Sequence, residues 1–108
     1  MELEIEKSLV ASTSHVLLSD MDLLTLDGTY PYTVHITEYG ATIYIVKDMV
    51  IPVEQSVEFI TDGTYEEQLV AFSRDFRRIL RLAQQNDCTW LRLDRDGSLI
   101  EGLAVHNW

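Results

Sequence analysis

The chain predicts a single α+β domain that spans residues 1–108. Residues 33–47 form two arms rich in β-branched and aromatic side chains around a bend at Gly40, which is typical of a β-hairpin. Residues 64–86 carry apolar side chains at steps of three and four, which is typical of a long amphipathic helix. With the flanking segments, the predicted order is strand, helix, strand, strand, helix, strand. This order favours a ferredoxin-like antiparallel sheet with two helices on one face, although other α+β arrangements fit it as well.

The first third of the chain predicts a strand and a short helix. Residues 3–12 alternate between apolar and polar side chains and then become apolar, so we expect a strand whose second half is buried. Ser19 is the expected N-cap of the helix, and Asp20 and Asp22 place acids in its first turn. Asp27-Gly28 is its expected end.

The last two-thirds predict the long helix and the final strand. Residues 49–63 are ambiguous between helix and loop. The long helix is expected to begin with a capping box formed by Thr64 and Glu67. Residues 88–94 then alternate as a strand with Leu91 and Leu93 on one face.

A tight turn and a docked tail are expected to follow that strand. Residues 95–97 form the turn, with Gly97 at a positive φ. Residues 98–100 are expected to pair back as a short edge strand, and apolar side chains in residues 101–108 indicate that the tail docks on the domain.

The acidic balance of the chain excludes some classes of protein. The formal net charge is −10, whereas a typical nucleic-acid-binding protein carries an excess of Lys and Arg. Anionic lipid would repel the same surface, so we expect neither direct nucleic-acid binding nor membrane docking. The first residues lack the basic start of a signal peptide, and no apolar run approaches the ~20 residues of a membrane span. Because Cys88 has no partner for an internal disulfide, we expect a cytoplasmic protein.

No motif in the chain identifies a reaction, a metal or a cofactor. Aligning Asp94-Arg95-Asp96-Gly97 with a calcium-binding loop puts Arg92 and Leu103 at two ligand positions, so a turn is the better interpretation. The three histidines form no metal-binding pair in sequence. We therefore expect no catalytic residue, no metal and no cofactor, with Cys88 as a buried small hydrophobe.

Acidic residues are the main candidates for binding a partner. The net charge is −11 over residues 1–73 and +1 over residues 74–108, so the acidic excess lies in the first two-thirds of the chain. We expect a basic partner to contact a surface formed by these acids: Glu2, Glu4, Glu6, Asp20, Asp22, Glu38, Glu54 and Glu58. Charge that guards an edge strand is the alternative explanation of the first three. Mimicry of the DNA backbone would require the whole set to lie on one surface.

A second candidate surface is basic. Four arginines lie on one side of the predicted long helix: Arg74, Arg77, Arg78 and Arg81. They are expected to form a solvated face, with Arg78 paired to Asp75, and the alternative is a patch that binds an acidic partner.

Several short motifs resemble those of a group of small uncharacterised bacterial accessory proteins from plasmids and phages. They are Ser12-Thr13-Ser14-His15, Tyr39-Gly40 in a hairpin, the run from Trp90 to Gly97, and a closing Trp108. The resemblance spans most of the chain. It implies a mobile-element context, in which small acidic proteins block host defence enzymes by occupying basic sites, and it transfers no catalytic residue.

These observations favour a non-enzymatic binding protein that inhibits a host nucleic-acid-handling or defence enzyme through an acidic surface. The alternative is a small oligomeric enzyme or ligand-binding domain, with a site near His15, His35 and Asp94. A homodimer is compatible with both interpretations.

Overall fold

A computed structural model describes residues 6–26, 29–53 and 67–106. Within them, four strands form one sheet: β1 (Ser8–Ser12), β2 (Val34–Thr37), β3 (Gly40–Tyr44) and β4 (Trp90–Asp94). Two α-helices accompany the sheet, α1 (Leu18–Leu24) and α2 (Arg74–Gln85). A 3₁₀ turn covers Thr13–His15, and a 3₁₀ helix covers Glu67–Ala71. The α+β class and the order of the elements confirm the prediction.

The sheet is mixed, with the strand order β1-β4-β3-β2. β2 pairs with β3 and β3 with β4 in antiparallel fashion, but β1 runs parallel to β4, with Leu9 opposite Leu91. The pairing therefore differs from the antiparallel ferredoxin-like sheet. β4 takes a central position, where Leu91 and Leu93 are buried between apolar residues of both neighbours. The alternation of the sequence indicates which face a residue occupies but not which strand lies beside it.

The hairpin and the last strand agree with the sequence pattern. β2 and β3 are joined by a turn at Glu38 and Tyr39. In β4, Leu91 and Leu93 face the core, while Trp90, Arg92 and Asp94 lie on the other face. β1 falls within the predicted first strand, residues 3–12, but begins later, because Glu6 and Lys7 are not part of it. Residues 3–5 lie outside the described part of the chain.

α1 begins two residues earlier than predicted, because Leu17 and not Ser19 is its N-cap. The carboxylate of Asp20 accepts a hydrogen bond from the backbone N–H of Leu17 at 2.9 Å, which satisfies a free donor at the helix start. The helix ends at Leu24, and the predicted stop at Asp27-Gly28 lies outside the described residues.

The predicted long helix is interrupted at Ser73, which is the N-cap of α2. Its hydroxyl accepts from the N–H of Phe76 at 3.2 Å, and its own N–H donates to Asp20 at 2.6 Å instead of continuing the preceding turn. The apolar spacing continues through the 3₁₀ helix and α2, so periodicity alone did not reveal the break. The predicted capping box cannot be assessed, since Thr64 lies outside the described residues.

The core lies between α2 and the inner face of the sheet. Phe72 and Phe76 stack with ring centroids 4.5 Å apart, and the ring of Tyr30 packs edge-on against both. Ile43 and Leu91 contribute from the sheet. Burial of these rings and aliphatic groups is the main apolar stabilisation of the domain.

The turn after β4 forms as predicted, but Gly97 is required for a different reason. Its φ is not positive; a Cβ there would lie 2.5 Å from the backbone carbon and oxygen of Ala11. Residues 98–100 form no strand, since only the bond from Ser12 N–H to Ser98 O, 2.9 Å, joins them to β1. No helix in the described ranges is long and apolar enough to cross a membrane.

The segment after this turn docks on the domain through His15. This imidazole is 1% exposed; its Nδ1–H donates to the carbonyl of Ala104 at 2.8 Å and its Nε2 accepts from the N–H of Ile100 at 2.8 Å. His106 adds a contact to Asp75 at 2.6 Å and a backbone bond to Ser14 at 2.7 Å. The tail therefore docks on the domain as predicted, through these polar contacts and through Leu103, which packs against the core, whereas Val105 is exposed.

Candidate functional site

The structure places the predicted acidic residues in different environments. Glu6, Asp22 and Glu38 are exposed. The carboxylate of Glu6 accepts from the indole N–H of Trp90 at 3.0 Å. Four others lie outside the described residues: Glu2, Glu4, Glu54 and Glu58.

Asp20 cannot belong to a partner-facing surface, so the expectation is wrong for this residue. Its side chain is 0% exposed. Besides the N–H of Leu17, its carboxylate accepts the N–H of Ser73 at 2.6 Å and the hydroxyl of Ser73 at 2.5 Å. Three donors at two helix starts compensate the buried charge, which makes Asp20 a structural residue.

Asp22 and Glu38 line the same groove, between α1 and the turn that joins β2 to β3. The groove has a volume of about 300 Å³. Met21, Ile36 and Tyr39 give it apolar surface, and Ile36 is 49% exposed. We call this the acidic groove.

The acidic groove also contains a cation, Arg95. Its guanidinium lies 4.7 Å from the centroid of the Tyr39 ring and 3.9 Å from the carboxylate of Asp96. Because Asp96 is beside it, Arg95 offsets the charge of Asp22 and Glu38 only in part. The groove therefore combines apolar surface with a local excess of negative charge.

A smaller pocket lies next to the acidic groove, beside β2. It has a volume of about 150 Å³ and shares Thr25 and Ile36 with the groove. Its surface is more polar than apolar, although the side chain of Leu26 is exposed, and its other lining residues are Leu24, Leu26, Tyr30, Tyr32 and Val34. The two cavities therefore lie next to each other beside β2.

The predicted basic patch is divided between two roles. Arg77 is half-buried, and its guanidinium donates to the carbonyl of Pro52 at 2.9 Å, so it ties α2 to the segment after β3. Arg78 and Arg81 are exposed and line a shallow groove of about 260 Å³ beside Leu82. Neither forms an ion pair with another described residue.

Two more observations concern the predicted basic patch, one on the partner of Arg78 and one on Arg74. The predicted pair between Arg78 and Asp75 is absent from the described ion pairs, because Asp75 contacts His106 instead. Arg74 is exposed at the start of α2.

The residues of the alternative site do not come together. His15 is buried under the C-terminal segment. His35 lies on the open face of the sheet, 5.9 Å from the Trp90 ring. Asp94 accepts the N–H of Asp96 at 2.9 Å, which fits the predicted turn, and contacts Arg92 at 3.6 Å.

No group of three potential metal ligands occurs in the described ranges. Cys88 is buried, as expected.

Sequence reasoning missed Ile36 and Tyr39, the apolar members of the acidic groove. Both are exposed, Ile36 near the end of β2 and Tyr39 in the hairpin turn. It also missed an aromatic cluster on the open sheet face, where the Tyr44 and Trp90 rings pack edge-on at 5.1 Å. The alternation of β3 and β4 places both rings on this face, but their contact depends on the register between the strands.

Comparison with models of known families gives a match over most of the chain. The model of a family described as "Family of unknown function (DUF5983) C-terminal domain" matches residues 8–108. No curated protein and no solved structure matches the chain.

Proposed function

The chain belongs to this family of unknown function, and we propose that it is a non-enzymatic binding domain that engages a basic segment of a protein partner. The observation that carries the proposal is the position of Asp22 and Glu38. They come from different elements, α1 and the hairpin turn, and line one groove with exposed Ile36 and Tyr39.

The composition of the acidic groove matches the chemistry of an Arg or Lys side chain. The aliphatic stem of such a residue packs on apolar surface such as Met21 and Ile36, while its charged head reaches carboxylates such as Asp22 and Glu38. The net charge of −10 adds long-range attraction, which raises the rate of encounter with a basic partner.

The narrower version of the proposal places the protein in the cytoplasm, in the context of a plasmid or phage, as an inhibitor of a host nucleic-acid-handling or defence enzyme. The acidic groove favours recognition of a basic peptide segment over mimicry of a DNA backbone. A duplex strand carries a phosphate every ~3.4 Å. Among the predicted acids that the structure describes, the exposed ones are Glu6, Asp22 and Glu38. Three carboxylates are too few to reproduce that phosphate spacing along a duplex strand.

A peptide titration tests the proposal. The probe is the peptide acetyl-Thr-Arg-Thr-Ile-Thr-amide, followed by the amide chemical shifts of the full chain. We expect the largest shifts around Asp22, Glu38 and Tyr39, and weaker binding as added salt shortens the Debye length below ~10 Å. A second peptide with Glu in place of Arg is expected to bind at least about 5-fold more weakly, since it loses the charge-assisted contacts.

A matched pair of variants separates the groove from the overall charge. Asp22→Asn with Glu38→Gln removes two carboxylates from the groove, and Asp48→Asn with Glu101→Gln removes two exposed carboxylates elsewhere. We expect the first pair to weaken binding about 5-fold or more and the second less than about 2-fold. Equal weakening by both pairs, or shifts centred on Arg78 and Arg81, would overturn the proposal.

A second candidate function is docking of an acidic partner on α2. The observation that favours it is that Arg78 and Arg81 are exposed and unpaired among the described residues, beside apolar Leu82. Bidentate contacts to carboxylates suit arginine. Charge reversal of both arginines that left binding of an acidic peptide intact would exclude this function.

A further inference from the structure

β2 is an edge strand, and its outer edge offers free backbone groups. Among the strands of the described residues, β2 pairs only with β3. The N–H of Tyr44 donates to Thr33 O at 2.9 Å, which makes this pair a hydrogen-bonded one. Bonded pairs alternate along an antiparallel ladder, so His35 with Thr42 is the next one.

The same alternation turns the backbone groups of Val34 and Ile36 away from β3. Four groups, an N–H and a carbonyl from each residue, therefore lie in the plane of the sheet and point outward from its edge. No hydrogen bond from outside the sheet reaches these groups within the described part of the chain. An unpaired row of donors and acceptors is a template for another strand.

We propose that the basic segment of the partner binds as a fifth strand, antiparallel to β2 along this edge. This inference rests on the proposed function and specifies how the segment is held. Main-chain bonds to Val34 and Ile36 would supply affinity, and side-chain pockets would supply specificity, as in other cases of strand addition.

The two cavities beside β2 determine which side chains the segment needs. Side chains opposite Val34 and Ile36 lie on the same face as theirs, about 6.8 Å apart. The position opposite Val34 lies at the smaller pocket, where the side chain of Leu26 is 58% exposed, and an apolar side chain there would cover it. The position opposite Ile36 lies at the acidic groove and suits Arg or Lys. The recognised pattern is a basic and an apolar residue separated by one position.

Charge complementarity favours this occupant over a second copy of the chain. Two copies that paired along β2 would bring their Asp22 and Glu38 carboxylates toward each other, and each chain carries a net charge of −10. Like charges across such an edge oppose pairing. A basic strand has no such penalty.

Amide hydrogen exchange tests the inference with the same peptide, acetyl-Thr-Arg-Thr-Ile-Thr-amide. In the antiparallel register its arginine lies opposite Ile36 and its isoleucine opposite Val34. On saturation with peptide, we expect exchange of the Val34 and Ile36 amides to slow at least about 10-fold, because both become hydrogen-bonded. The His35 amide, already paired with β3, serves as the internal reference.

N-methylated peptides and one variant provide the controls. Methyl groups on the arginine and isoleucine nitrogens block the bonds to β2, and a methyl group on the middle threonine faces away from it. We expect the first peptide to lose at least about 10-fold in affinity and the second to retain most of it. Ile36→Pro removes an outward N–H and leaves the ladder to β3 intact, so it is expected to abolish binding in a folded protein.

These experiments distinguish strand addition along β2 from recognition of a basic segment by the acidic groove, the proposed function on which it rests. Binding that depends on Asp22 and Glu38 but shows neither amide protection nor sensitivity to N-methylation would overturn strand addition and leave the proposed function standing. Protection that is insensitive to both carboxylates would support strand addition and contradict acidic recognition. Absence of peptide binding at millimolar concentration, or protection that rises with protein concentration alone, would overturn the inference.

Discussion

Asp20 and Ser73, which are 53 positions apart in the sequence, join the N-terminal ends of both helices. The buried carboxylate accepts from the N–H and the hydroxyl of Ser73, and the same hydroxyl accepts from Phe76 at the first turn of α2. One short side-chain network thus fixes where α1 and α2 begin and positions them relative to each other. Since α1 forms one wall of the acidic groove, this network also positions the candidate site.

We expect Asp20→Asn to lower the free energy of unfolding by about 2–3 kcal/mol, because the amide presents an N–H₂ group to donors that the carboxylate satisfied. Urea denaturation followed by circular dichroism measures this change. Asp22→Asn, a matched change at an exposed position of the same helix, is expected to cost less than about 0.5 kcal/mol. Similar losses for both variants would contradict the role given to Asp20.

We expect His15→Ala to loosen the C-terminal segment, because it removes both bonds from the imidazole to Ile100 and Ala104. The loss of unfolding free energy should be about 2–4 kcal/mol, and the Ile100 amide should lose its protection from exchange. His35→Ala, at an exposed position, is the control and should have little effect on either quantity. Retained protection of the Ile100 amide would show that His15 does not hold the segment.

Gly97→Ala is expected to destabilise the domain by at least about 2 kcal/mol, because the added Cβ would overlap the backbone of Ala11 and no side-chain rotation can relieve the overlap. Thermal unfolding provides the measurement. Ser98→Ala, at the neighbouring exposed position, tests whether any change in this turn is harmful. A stable Gly97→Ala protein would require a different path for the chain past β1.

The parallel pairing of β1 with β4 predicts which engineered cysteines cross-link. Val10 and Arg92 are partners in the register and both are exposed, so a Val10→Cys, Arg92→Cys protein should form a disulfide on mild oxidation. Val10→Cys with Thr42→Cys spans one further strand, at roughly 9.6 Å, and should not. Mass spectrometry after alkylation distinguishes the two. Cross-linking of the second pair alone would refute the strand order.

Local patterns in the sequence predicted the secondary-structure elements well. The features that they did not predict depend on contacts between residues far apart in the sequence. The hairpin at residues 34–44 and the inward face of β4 follow from alternation and from a bend at Gly40, which are properties of neighbouring residues. Asp20 showed a different limit. An acid in the first turn of a helix is normally exposed, and only its bonds to Ser73 reveal that it is buried.

The candidate site was predictable only in part for the same reason. The net charge predicts that acids contact a basic partner, and Asp22 and Glu38 are among the acids of that prediction. Their convergence depends on the packing of α1 against the hairpin, which no pattern along the chain encodes. The sequence pattern places Ile36 in the hairpin but does not predict its exposure, which follows from the position of β2 at the edge of the sheet.

The place of β1 beside β4 has a consequence for how the domain forms during synthesis. Ser8 pairs with Trp90, so the ribosome must release nearly the whole described chain before the first strand finds its neighbour. Closing so long a loop costs entropy before any contact repays it, and this slows folding. Until β4 emerges, β3 of the nascent hairpin has no strand beside it on the edge where Ala41 and Ile43 later pair with β4, so this edge is exposed. We therefore expect ribosome-bound chains that end before Trp90 to be protease-sensitive, with resistance gained in one step once β4 is free.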